Sequence, residues 1–472
     1  MVIVADPKPS LSLDRFDQSW DGRRVVVVGL GRSGQAAAEL LSRVGCRVRV
    51  TEQRDTAELR TLRTALLHTG IEEVEVGGHT ERLMDEVDCV VVSPGVPESI
   101  GPIQWALQRH LPILSEIELA FHFCRSPIVA VTGTNGKSTA VTLMAEVLNA
   151  SGQSAIACGN LGTPFSSVVS QCTPETMAVV EISSFQLLWC EQFRPHIGVL
   201  LNVGTNHLDR HRDHAAYLAA KARLFQRQGP GDWAVLNGAD PRVVLMGERF
   251  RARRVWFGEN RSNPSHLRIA PETQRVLTEG VQAVLQVGRL LGIADPLIWQ
   301  VIRTFRGLEH RLEPVATIRG VHLVNDSKST TPDSFLFALS QTQGDVIAIV
   351  GGRDKGLDFA PLVEGLKTAR IKGVVLLGES RSRLRTLLNG SGMVHESHTL
   401  DEAVSTALTL AEPGSTILFS PACASFDMFR NFEERGRAFK EIISRMRHAA
   451  CGMRNGSPHS ELRTPNSELA SR

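Results

Sequence analysis

Apolar residues fall along this chain in short dense runs, separated by stretches where they recur every three or four positions. "VVVV" at 25–28 is the first run, and it ends at a glycine, which predicts a strand buried on both faces. Ala and Leu from Gln35 to Leu41 then recur at helical spacing. "CRVRVTEQR" (46–54) and "DCVVVSPGVP" (88–97) read as further strands, the latter closed by a Pro-Gly turn. The pattern resumes with "SPIVAVTGTNGKST" (126–139), then a helix through Met144, Val147 and Leu148 that stops at Gly152. "MAVVEIS" (177–183) and "IGVLLNV" (197–203) predict two more buried strands. A last group comes at "GVHLVNDS" (320–327), "DVIAIVGG" (345–352), "GVVLLG" (373–378) and "STILFSPA" (415–422). Apolar runs alternating with helices predict parallel α/β sheets.

Length sets the number of domains: at about 100–200 residues per domain, 472 residues suggest three. The expected boundaries are 1–116, 117–310 and 311–447. Residues 448–472, with little apolar content and no periodicity, are expected to form a disordered tail. A net charge of +2 gives no general electrostatic case for nucleic acid or a membrane surface as partner. Eight scattered cysteines with no Cys-x-x-Cys pair suggest neither a zinc ribbon nor a disulfide scaffold. No run is apolar and long enough for a signal peptide or a spanning helix, so no membrane insertion and a cytoplasmic location are expected.

The candidate chemistry lies where strands meet helices. "GLGRSG" places Gly29, Gly31 and Gly34 in a Gly-x-Gly-x-x-Gly, with Glu52 closing the next strand about 20 residues on. Such a turn cradles a phosphate or sugar, or serves only tight strand–helix packing. A nicotinamide cofactor is less favoured because nothing nearby suggests hydride transfer. "TGTNGKST" (132–139) is a shortened phosphate loop: Gly133 and Gly136 allow backbone N–H groups to converge, and the following helix offers its positive end. Lys137 can reach terminal phosphates, and the hydroxyl of Ser138 or Thr139 can bind Mg²⁺. Turn and capping chemistry would explain the glycines but not the lysine between Gly136 and Ser138. Glu181 ends one buried strand and His207 follows the next, positions where open α/β sheets put ligands. Each alone is more often structural; after a phosphate loop they suit metal binding. Lys221, in "YLAAK", would alone be read as an exposed lysine. In the third segment, turn chemistry suffices for Asp333 or Ser334, whereas Lys328 and Lys355 suit an anionic substrate.

"TGTNGKST", "EISSFQL", "NHLDRH", "YLAAK", "GLEHRLE", "NDSKST" and "SPACASFDMFRNFEERG" occur in this order, and with them the chain resembles the Mur ligases over about residues 20 to 445. "VGLGRSG", "SSFQL" and "SPACASFDMF" favour the D-glutamate-adding branch. The resemblance implies an α/β fold of three consecutive domains: Rossmann-like N-terminal, P-loop ATPase-like central and Rossmann-like C-terminal. It implies ATP-dependent ligation of D-glutamate to UDP-N-acetylmuramoyl-L-alanine, through an acyl phosphate, in peptidoglycan precursor synthesis. By motif position, Gly133, Thr134, Asn135, Gly136, Lys137, Ser138 and Thr139 would bind ATP, with Arg311, Asp326 and Lys328 from the third domain. Lys137, Glu181, His207 and Lys221 would be the catalytic group. Ser138, Thr139, Glu181 and His207 would hold Mg²⁺, together with Lys221 as a carbamate. Thr330, Lys355, Ser425 and Phe432 would surround D-glutamate, and Ser33, Arg54 and Asn160 the UDP-sugar. The Gly-x-Gly-x-x-Gly would then cradle UDP. Closure of the third domain onto the second is expected before chemistry, and the chain is expected to be a monomer.

Three departures stand against this pattern. Family members usually carry Gly-x-His-Asn-x-x-Asn before a helix late in the central domain, where residues near adenine lie. Here "FGENRSNPSHLRIAPETQRVLTEGVQAVLQVGRLLGI" (257–293) keeps the helix but has no His-Asn. Asn206 stands where an acid commonly precedes the histidine, and "TEQR" replaces an Asp-Thr-Arg-like run. An alternative reading follows: a non-catalytic binder of the UDP-sugar precursor with an impaired ATP site.

Overall fold

The structure, a computed structural model, describes residues 19–204, 213–258, 279–354, 356–388 and 393–452. Three sheets follow one another along the chain, and the fold is the expected three-domain α/β architecture. The chain divides into two compact units, residues up to Arg306 and from Gly307 onward.

In the first unit, β1 (Arg24–Val28), β2 (Arg47–Glu52), β3 (Glu73–Val76), β4 (Cys89–Val92) and β5 (Ile113–Ser115) form a parallel sheet of order β3-β2-β1-β4-β5. Val25, Val27, Val48, Val50, Val91 and neighbouring helix residues bury one face; Val26, Val28, Val90 and Val92 bury the other. The order reverses between β1 and β4, so a crevice opens beyond their carboxyl ends. The second sheet comprises β6 (Ile128–Thr132), β7 (Ala155–Gly159), β8 (Met177–Glu181), β9 (Ile197–Leu200), β10 (Trp233–Asn237) and β11 (Arg253–Phe257). Its order is β11-β10-β9-β6-β8-β7, again all parallel. That order sets β6, which the Gly133–Thr139 loop follows, between β8 and β9.

These two sheets belong to one unit for a physical reason. The helix Glu116–Phe123, capped by the Ser115 hydroxyl on Glu118 N, leaves β5 and packs both ways. Ile117 and Ala120 join the core of the second sheet, and Leu119 joins that of the first. Its two acids are also spent on the central domain: Glu116 accepts from Ser166 N at 2.6 Å, and Glu118 from Gln192 N and Phe193 N at 2.6 and 3.0 Å.

The second unit holds β12 (Glu313–Ile318), β13 (Val321–Asn325), β14 (Val346–Gly351), β15 (Ile371–Leu377), β16 (Val394–Glu396) and β17 (Thr416–Phe419). The order is β12-β13-β17-β14-β15-β16, parallel except for the antiparallel β12–β13 pair. Its last helix runs Phe432–Gly452, past the 447 boundary expected for the tail; residues 453–472 lie outside the described residues.

Candidate active site

Ser33, Arg54 and Asn160, distant in sequence, line one cleft of about 650 Å³ at the carboxyl ends of the first sheet. Gly29 and Gly31 line it as well. Both oxygens of the Glu52 carboxylate are engaged there. One accepts from Leu30 N (2.9 Å) and Arg54 Nη2 (3.2 Å), the other from Arg54 N (3.0 Å) and Nε (2.9 Å). Burial alone would raise this carboxyl, but those hydrogen bonds and the guanidinium charge bring it down to about 2. The acid that would meet ribose hydroxyls in a dinucleotide site thus fastens the glycine turn to Arg54.

The loop after β6 leads into the helix Lys137–Ala150, with Gly136 at its N-cap in the left-handed region (φ 79°), where a side chain would be strained. Lys137 Nζ donates to the carbonyls of Gly133 (2.9 Å) and Thr134 (2.8 Å). On the β8 side, the buried Ser138 hydroxyl donates to Glu181, whose other oxygen accepts from Asn160 Nδ2 at 3.0 Å. Asn160 N also donates to Glu181 O at 2.9 Å, so the same residue lines the cleft and holds the carboxylate beside the Gly133–Thr139 loop. The strands approach closely here: a Cβ on Gly159 would lie 2.3 Å from Glu181 O. Ser183 and Gln186 then form a capping box that turns the chain into the next helix. On the β9 side, Asn202 Oδ1 accepts from Thr134 N (2.9 Å) and Asn135 N (3.0 Å).

Lys221 is not an exposed lysine. It is 1 % exposed, on the helix His214–Ala222, and its Nζ donates to Gly133 O at 2.8 Å. Two lysines therefore share one carbonyl. Burial, with the Lys137 charge nearby, pushes the Lys221 ammonium well below the ordinary lysine range. The ring of Tyr217, one helical turn earlier, lies 4.5 Å from Nζ, and its hydroxyl meets Thr134 Oγ1 at 2.9 Å. Thr134 Oγ1 in turn accepts from Gly204 N at 2.7 Å.

In the second unit, Asp326 follows β13 and is buried, accepting from Leu312 N (3.1 Å) and Ser420 Oγ (2.8 Å). Burial raises its carboxyl to about 7 despite those bonds and the charge of Arg311. Lys328 Nζ lies 3.9 Å over the Phe432 ring. Buried Arg435 ties the two loops together, donating to Ser327 Oγ (3.0 Å), Ser327 O (2.7 Å) and Cys423 O (3.0 Å). Ser425 is buried on the second of these loops, and Thr330 is half-buried at the end of the first.

The structure thus brings Gly133–Thr139, Glu181 and Lys221 together in the first unit, and Arg311, Asp326, Lys328 and Phe432 in the second. His207 and Lys355 lie outside the described residues, as does the stretch where the His-Asn run is missing. Reasoning from the sequence passed over Tyr217, Asn202 and Arg435. Tyr217 was legible, since the i, i+4 spacing of "YLAAK" sets Tyr217 and Lys221 on one helix face. Among the described residues no group of three or more His, Cys, Asp and Glu could hold a metal ion. The Ser138 hydroxyl and Glu181 carboxylate, already hydrogen-bonded to each other, are hard oxygen donors, and as a pair they fit Mg²⁺.

Comparison with known proteins matches residues 23–115 to the Mur ligase MurD-like N-terminal domain, 131–289 to the Mur ligase middle domain and 310–423 to the Mur ligase glutamate ligase domain. UDP-N-acetylmuramoylalanine–D-glutamate ligase of Desulfosudis oleivorans is 37% identical over 448 residues, covering 90% of this chain and 97% of that protein. The enzyme of the same name from Koribacter versatilis is 37% identical over 446 residues, covering 90% and 98%. Among solved structures, MurF ligase from Thermotoga maritima in complex with ADP aligns with a TM-score of 0.57 at 16% identity, covering 91% of this chain and 97% of that one. UDP-N-acetylmuramate-alanine ligase MurC from the same organism aligns at 0.56 and 17%, covering 90% and 99%. These two likenesses concern the fold.

Proposed function

Because the chain belongs to the Mur ligase family, we propose that it performs the reaction of its D-glutamate-adding relatives: ATP-dependent joining of D-glutamate to UDP-N-acetylmuramoyl-L-alanine in peptidoglycan precursor synthesis. The observation that carries this reading is the phosphate loop whose Ser138 meets Glu181 and whose Gly133 carbonyl meets both Lys137 and buried Lys221.

A carboxylate is a poor electrophile. In the first step an oxygen of the substrate carboxylate bonds to the γ-phosphorus of ATP as the bond to ADP breaks, leaving an acyl phosphate. In the second, the D-glutamate nitrogen bonds to the acyl carbon and loses a proton, and inorganic phosphate departs. Lys137 and the backbone of Gly133–Thr139 bind the phosphates and offset their charge. Ser138, Thr139, Glu181 and His207 would hold Mg²⁺, together with Lys221 as a carbamate. Bound Mg²⁺ supplies charge neutralisation and polarises the phosphoryl group. Two lysine nitrogens on one carbonyl, with no ion pair to Lys221 among the described residues, support the carbamate: burial beside Lys137 favours the neutral Lys221 amine that forms it, and its negative charge would then attract Lys137.

In the same reading Ser33, Arg54 and Asn160 bind the UDP-sugar. Arg311, Asp326 and Lys328 serve ATP, and Thr330, Lys355, Ser425 and Phe432 serve D-glutamate. The site is cytoplasmic, where ATP and thiols coexist: Cys46, Cys89, Cys124, Cys158, Cys172, Cys190 and Cys423 are free thiols. No described helix is long and apolar enough to cross a membrane.

The test is ADP release by purified protein given ATP, Mg²⁺, UDP-N-acetylmuramoyl-L-alanine and D-glutamate, with each component omitted in turn. Release is expected only with both substrates present, and Lys137→Ala is expected to lose it. An unaltered protein that binds the UDP-sugar yet releases no ADP would instead be a non-catalytic binder.

A further inference from the structure

We propose that Glu279 is a positioning residue for the phosphate loop, acting through Asn202; this rests on the ATP-site reading above and deepens it. Asn202 follows β9 and lies alongside the loop. Its Oδ1 accepts from Thr134 N (2.9 Å) and Asn135 N (3.0 Å), and its Nδ2 donates to Asn135 O (3.3 Å) and to the Glu279 carboxylate. Both lone pairs and both protons of the amide are then in use. A carboxylate only accepts, so Glu279 admits one orientation of that amide, nitrogen toward Glu279 and oxygen toward the loop. The flipped amide would set its NH₂ against two backbone donors.

Glu279 stands on a firm base. It begins the helix Glu279–Leu290, whose Val281, Val284 and Val287 share a core with Ala140, Met144 and Leu148 of the helix that follows the loop. A Cβ on Gly280 would sit 3.6 Å from Ala140 Cβ and 3.9 Å from Gly136 O, so the helix start abuts the loop itself. The Thr134 and Asn135 N–H groups pinned by Asn202 belong to the same turn whose Gly133 and Thr134 carbonyls hold Lys137 Nζ. Glu279 thereby fixes the frame on which the lysine rests.

The experiment compares the full chain with Glu279→Ala and Glu279→Gln, measuring ADP binding with Mg²⁺ by calorimetry and the KM for each substrate. Loss of an acceptor from this part-buried network is expected to weaken ADP binding and raise the ATP KM by about tenfold in Glu279→Ala. The KM for the UDP-sugar and D-glutamate should stay within about twofold, and the glutamine carbonyl should restore ATP binding to within about threefold. Unchanged ADP affinity in Glu279→Ala overturns the proposal. So does a glutamine variant as weak as the alanine one, or a rise of all three KM values together with a lower thermal midpoint. Calorimetry needs no turnover: a parent that binds ADP without ligase activity sinks the ligase reading alone, and an active parent with an unaffected alanine variant sinks only the role of Glu279.

Discussion

Glu52 shows how one side chain's surroundings set its chemistry. Its carboxyl sits at about 2 in the folded chain against an ordinary 4.5, because hydrogen bonds from Arg54 and Leu30 N outweigh the cost of burial. Between those values the unfolded chain binds more protons, so stability rises with pH there. The contribution of Glu52 is therefore whole above pH 4.5 and lost as pH falls through about 2. Denaturant midpoints of the parent and Glu52→Gln should converge on acidification from about pH 5 toward 2; a constant gap would contradict the assignment. At this scale the sequence was legible where residue type dictates role. Lys137 between Gly136 and Ser138 pointed to a loop at a helix start, and Glu181 to a strand end, and the structure joins Glu181 to Ser138 of that loop. Burial was not legible. Lys221 reads as a surface lysine, because nothing local reports that the loop of another element covers it.

The helix Glu116–Phe123 carries the opposite sign. Burial raises Glu118 to about 7, despite N–H groups donated by Gln192 and Phe193, and raises Glu116 to about 6. Between 4.5 and about 7 the folded chain holds the extra proton, so stability falls as pH rises and levels off above. Glu118→Gln removes part of that fall. The gap in thermal midpoint between parent and variant should narrow from about pH 4.5 to 8, and a gap independent of pH would refute it. Elements differ in how visible they are for a related reason. Most of the ten strands read from the sequence are apolar runs buried on both faces, as in β1, β8 and β14. All six edge strands were missed. β3 is "EVEV", β16 is "VHE" and β12 is "EPVATI", which face water on one side and so lack the continuous apolar signal.

At the level of the whole chain, two units with separate cores make a single unfolding transition an unsafe assumption. Composition offers a way to separate them: all six tryptophans, from Trp20 to Trp299, belong to the first unit. Tryptophan fluorescence should follow that unit alone, while circular dichroism follows both. UDP-N-acetylmuramoyl-L-alanine at a hundred times its Kd should stabilise the fluorescence transition by about 2.7 kcal/mol. A shift seen only by circular dichroism would place the UDP-sugar elsewhere. Tyr217 adds a consequence of another kind. It is the only tyrosine in 472 residues, and its hydroxyl sits on Thr134 of the phosphate loop. Fluorotyrosine incorporated during growth would give a single ¹⁹F resonance, reported from the ring whose hydroxyl meets Thr134 of the loop after β6.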